Sequence, residues 1–101
     1  MTPSDRMARG ERAKAAMAEF FGPAFEHVEQ EYAERMIATA ASTDPRAPEV
    51  IARLANGVKA ARVVRGQIEA FIMDGKMAEE EAKRGAKIAQ MSDFHRATIG
   101  A

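Results

Sequence analysis

The sequence predicts an all-α protein: an antiparallel helical hairpin of two long helices, with a short N-terminal helix and a solvated C-terminal helix and tail. Three observations carry this. Ile51, Leu54, Val58, Ala61, Arg65, Ile68 and Ile72 are spaced 3-4-3-4-3-4, with Arg65 as the only polar member. A stripe of that kind on one helix face has to be buried against another helix. Upstream, Phe25, Val28, Tyr32 and Met36 form a second apolar row at helical spacing, with Ile37 alongside. Between the rows lies Ser42-Thr43-Asp44-Pro45-Arg46-Ala47-Pro48, two prolines among capping residues, which stops one helix and starts the next.

Taken in order, residues 1–19 are polar and Ala-rich, with Met7, Ala13, Ala16 and Met17 at helical spacing. Ser4 or Asp5 is the expected cap. Gly10 weakens the centre, so a short or fraying helix is expected. Gly22-Pro23 punctuates the chain, because Pro is favoured in a first helical turn where its missing N–H costs nothing. Phe20 and Phe21, just before it, are expected to plug one end of the hairpin. Helix A then runs from about residue 23 to 41, and helix B from about 48 to 73. Helix B is the longer, on the order of 40 Å, so part of its seam faces the N-terminal segment or another subunit. Gly57 borders the seam and suits either simple tolerance or close helix approach; Gly66 lies on the outer side, where close approach needs a second partner. Asp74-Gly75 is expected to end or bend helix B.

Beyond that point, Glu79 with Lys83 and Glu80 with Arg84 make i,i+4 pairs, and only Met77, Ile88 and Met91 are strongly apolar. This segment reads as a solvated helix or an extension of helix B. The tail from residue 92, with Phe94 and Ile99 in polar surroundings, is expected to order only on binding. The organisation is therefore an arm at 1–22, a hairpin core at 23–75, and a polar helix with tail at 76–101.

Composition narrows the function. A chain of 101 residues holds one small domain, and with 6% aromatics and no Trp its core would be thin. Such chains compensate with disulfides, metals or association. Cys is absent and there are two His, so association remains. Net charge is zero, which disfavours a dedicated nucleic-acid binder. No apolar run approaches the ~20 residues that span a bilayer, and no apolar stretch follows the charged N-terminus, so neither membrane insertion nor a secretory signal is expected. Helix A carries Glu26, Glu29, Glu31 and Glu34 against Arg35, while residues 44–73, helix B with the turn before it, are basic through Arg46, Arg53, Lys59, Arg62 and Arg65. That complement selects a partner and its direction, either within the chain or between subunits, more than it stabilises. A phosphate-binding stripe is the least favoured reading.

No GxxxxGK[ST], GxGxxG, HExxH or GxSxG pattern is present. His27 falls off the apolar row and reads as a surface residue. His95 falls in the tail, away from any rigid element. No catalytic, metal or cofactor residue is assigned, and the chain is expected not to be an enzyme. Arg65 snorkels, with its head in water or on a helix A glutamate, or sets the register of an oligomer as a buried ion pair, or, least favoured, contacts a ligand phosphate. The candidate interface is therefore the two rows: Phe25, Val28, Tyr32 and Met36 with Ile51, Leu54, Val58, Ala61, Arg65, Ile68 and Ile72.

The run RGERAKAAM at residues 9–17, FFGPAFEHVEQEYAERM at 20–36 and TDPRAPEVIARLANGVKAARVVRGQIEAFIMDGKMA at 43–78 resembles a group of short helical proteins encoded by phages and prophages. Those proteins lie among head and DNA-packaging genes. The resemblance covers residues 9–78 and implies a virion-assembly or packaging setting, in the host cytoplasm or the virion, with no catalytic residues to carry over. The expected partners are a second copy of the chain, phage head and packaging proteins, or both. A DNA-packaging factor resembling a small terminase subunit and a small regulator of a host system are the alternatives. The 19 N-terminal residues are too few for the helix-turn-helix that the first of these requires.

Overall fold

A computed structural model of the protein describes the backbone over residues 1–99 and the side chains over residues 1–91. Every regular element among them is helical. Helix α1 spans Pro3–Ala16, a five-residue π-turn spans Met17–Phe21, α2 spans Gly22–Ala41, and α3 spans Ala47–Ile99. The tail expectation, with Phe94, His95 and Ile99, falls on side chains outside the described residues.

Helix α1 starts two or three residues earlier than Ser4 or Asp5 would have it. Thr2 is the cap. Its Oγ1 accepts from Asp5 N at 3.1 Å, and Asp5 Oδ2 accepts from Thr2 N at 3.2 Å. This reciprocal pair satisfies two otherwise orphaned N–H groups. Hydrogen bonding with the Thr2 side chain and backbone holds the Asp5 carboxyl below its ordinary pKa.

Gly22-Pro23 does not separate two helices. Backbone angles stay right-handed helical through Ala16, Met17, Phe21 and Gly22. Pro23 has no N–H for the carbonyl of Glu19, and its ring crowds that carbonyl. The ladder instead shifts to i→i−5, with Gly22 N donating to Met17 O. Only glycine fits there, since a Cβ on Gly22 would lie 2.7 Å from that same oxygen. Residues 3–41 thus form one helical arm with a bulge.

The turn is closed by local hydrogen bonds. Ser42 Oγ donates to Thr39 O at 2.7 Å, and Asp44 Oδ1 accepts from Arg46 N at 2.8 Å, an Asx-turn that starts α3. Helix α3 then continues through Asp74 and Gly75 without a stop, correcting the expected end near residue 73 and crossing the expected 75/76 boundary. Gly75 is not a C-cap because no glycine of the described residues takes a positive φ.

The first arm packs along α3 in the opposite direction. Gly10 meets Gly75 and Tyr32 meets Gly57. Between these contacts the first arm advances 22 residues while α3 returns 18, so the first arm takes the longer path. α1 and α2 both pack against α3, whereas the π-turn between them stands largely clear of it. Phe20 and Phe21 ride on this bulge, halfway along the rod, rather than plugging an end. Phe20 is 62% exposed, and Phe21 stacks on Phe25 with centroids 6.3 Å apart. The molecule measures 87 × 22 × 20 Å, with a radius of gyration of 23.6 Å; a compact chain of this length has about 13 Å.

Candidate interaction surfaces

Among the described residues only Gly10, Gly75 and Ala78 are buried. They form a helix crossing at backbone contact. A Cβ on Gly10 would lie 2.7 Å from Gly75 Cα and 3.1 Å from Phe71 O. One on Gly75 would lie 2.8 Å from Gly10 Cα and 3.2 Å from Arg6 O. Two glycines facing each other remove both obstacles, so dispersion contacts and Cα–H···O approaches replace side-chain packing.

A charge cluster flanks this crossing. Arg6 Nη2 donates to Asp74 Oδ1 at 2.8 Å, and its Nε reaches both carboxylate oxygens, 3.1 Å from Oδ2. Arg6 Nη1 donates to Glu81 at 3.1 Å, and Arg9 Nη2 to Asp74 Oδ2 at 3.1 Å. The hydrogen bond from Arg6 holds the Asp74 carboxyl below its ordinary pKa, against an opposing desolvation effect. Asp74 and Glu81 in turn raise the pKa of Arg6. Arg9 also lies over the Phe71 ring at 4.5 Å, a cation–π contact. Its Nε is covered and lacks a hydrogen-bond partner. The cluster thereby ties residues more than sixty positions apart and sets which turn of α1 meets which turn of α3.

Further along, the predicted rows lie where the arms meet. Ile51, Leu54, Val58, Ala61, Arg65, Ile68 and Ile72 on α3 are all half-buried, as are Phe25, Val28, Tyr32 and Met36 on α2. Tyr32 lies over Gly57, whose added Cβ would sit 2.6 Å from Tyr32 Cε2, so Gly57 serves close approach. Ile37, placed alongside the α2 row by its sequence position, is 72% exposed. Arg65 does not reach a glutamate of α2. Its Nε donates to Glu69 one turn along α3, at 3.2 Å, with the side chain about one-third exposed. The only ion pair between α2 and α3 among the described residues is Arg62 with Glu29, at 3.0 Å. His27 sits 3.5 Å from Glu31 on the surface.

Sequence reasoning offered the N-terminal segment as one cover for helix B but did not locate the crossing at Gly10 and Gly75, though a signal was available. Continuing the α3 spacing by three from Ile72 lands on Gly75, and three more on Ala78. Small residues at consecutive seam positions indicate a close neighbour rather than a helix end.

The other side of α3 is unpartnered. Val63, Gly66, Ala70, Met73 and Met77 repeat at 3-4-3-4 spacing and are all exposed, Val63 at 65% and Met73 at 57%. No helix of the described residues is long and apolar enough to cross a membrane. No protein-family model, curated protein or solved structure matches the chain.

Proposed function

We propose that this protein is a non-enzymatic helical hairpin that self-associates through its exposed apolar faces and serves as an assembly module. The observation that carries the reading is the imbalance of burial. Among the described residues three small ones are buried, while Phe20, Val63, Val64, Met73 and Met77 stay largely in water. The accessible surface is 7771 Å², against about 5,600 Å² for a compact protein of this mass. Large exposed apolar patches on a soluble chain mark association sites. The dense charge cluster at Arg6, Arg9, Asp74 and Glu81 is spent on joining α1 to α3, which suits a structural role. The setting among phage head and packaging proteins rests on the sequence resemblance, and pull-downs against phage head and packaging proteins would test that setting.

The test of self-association is absolute mass by light scattering on a sizing column, at two salt concentrations. A closed oligomer at both is expected, because apolar burial survives screening. A folded, fully helical monomer of 11.0 kDa across the accessible concentration range would overturn the reading.

A further inference from the structure

We infer that the outer face of α3 over residues 63–77 docks on the same face of a second copy, packed antiparallel about a twofold axis. This rests on the self-association reading and names its surface. The face is a bounded stripe. Val63, Gly66, Ala70, Met73 and Met77 span about 21 Å of helix, and the same spacing reaches Lys59 upstream and Glu80 downstream, where charge ends it. Gly66 has nothing within 4 Å of an added Cβ, so its glycine is not explained by any contact within the chain. The other glycines of this helix that lie against the first arm, Gly57 and Gly75, each accept a close neighbour.

A second copy supplies the missing neighbour. In an antiparallel pair, seam positions oppose each other large against small. Met77 faces Gly66 of the second copy, Met73 faces its Ala70, and the twofold repeats both. Val63 then lies beside the stem of Glu80 at each end. Such a knob-into-hole alternation is what close helix packing requires. The flanks agree. In this register Glu69 lies opposite Lys76 of the second copy, twice by symmetry, and both are exposed. The parallel alternative stacks Glu80 on Glu80 within the seam and sets Glu69 against Asp74, two repulsions that the antiparallel pair avoids. A foreign partner has no reason to share this self-complementarity, and a twofold interface demands it.

The experiment is sedimentation equilibrium on the full chain, with helicity followed in parallel. Gly66→Leu is expected to raise the dimer Kd by at least about tenfold by filling the hole that Met77 enters. It leaves helicity equal or higher, since the site is open and glycine disfavours helix. Glu69→Lys and Lys76→Glu are each expected to weaken the dimer several-fold, and the double exchange to restore it to within about twofold. If the wild type associates but Gly66→Leu and the charge exchanges leave Kd unchanged, this face is overturned and self-association stands on another. If Gly66→Leu dissociates the dimer but the double exchange does not restore it, the antiparallel register is overturned. If the wild type is a monomer, both fall together.

Discussion

At the scale of single residues, Asp74 joins two arginines of the first arm to α3. It accepts from Arg6 and Arg9 on a helix that has no covalent proximity to it, and those bonds depress its pKa. A carboxylate that binds its proton more weakly when folded stabilises the fold above its unfolded pKa, and loses that contribution as pH falls through the lowered folded value. The α1–α3 crossing is therefore expected to be fully held at neutral pH and to loosen as pH drops below about 4. Amide hydrogen exchange over α1 measures this. The wild type should lose α1 protection on acidification. Asp74→Asn should show reduced protection already at pH 7 and a smaller further loss in acid. Equal acid sensitivity in the two proteins would mean that another carboxyl, such as Asp5 in the Thr2 cap, governs the loosening.

Among the elements, the π-turn sets how the first arm meets α3. Covered positions at seam spacing on that arm are half-buried Arg6, buried Gly10, and half-buried Ala13 and Met17; beyond half-buried Gly22 the spacing resumes at Phe25, Val28 and Tyr32. Eight residues separate 17 from 25, where two seam steps take seven. One surplus residue would rotate the following helix by about 100°. The five-residue turn absorbs it, and so α1 and α2 both present their apolar side to α3. Two causes compete for the bulge: the proline that breaks the ladder, and the seam that needs the extra residue. Proline in a helix costs about 3 kcal/mol, but losing the seam would unseat an entire helix, so the seam wins. Pro23→Ala is accordingly expected to keep the π-turn. Gly22→Ala should cost about 1–2 kcal/mol in either background, from the clash with Met17 O less the gain in helix propensity. Denaturant unfolding of the double-mutant cycle decides it. A coupling above about 1 kcal/mol would assign the bulge to Pro23 instead. The helices themselves were legible because 3-4 spacing and the Asp-Pro turn are local signals. The bulge was not, because Gly-Pro carries the same meaning at a helix start as at a π-turn. Asp74-Gly75 misled for a related reason: glycine after a long helix resembles a cap until the facing Gly10 is known.

For the whole molecule, the all-α class was readable from the periodicity of two segments, while the extent of the rod was not. Its length depends on α3 running on past the N-terminus of α1. Arg6 reaches as far as Glu81, and α3 continues to Ile99. Ile88 and Met91, on that overhang, are exposed. Most of a helix's stability comes from packing its apolar face, and the paired part buries little beyond the Gly10–Gly75 crossing. The entropy cost of ordering about a hundred residues leaves little surplus from so small an interior. Association should therefore add to the stability of the folded chain. For a dimer, each tenfold rise in protein concentration adds about 1.4 kcal/mol of apparent stability. Over two chains of this size that corresponds to a rise in Tm of about 3–6 °C per decade. Circular dichroism melts across a hundredfold range of concentration measure it. A Tm that does not move would mean that the monomer stands alone and that its apolar faces are free in the folded chain. A rise of the expected size, abolished together with the dimer by Gly66→Leu, would place the missing interior between copies of the chain.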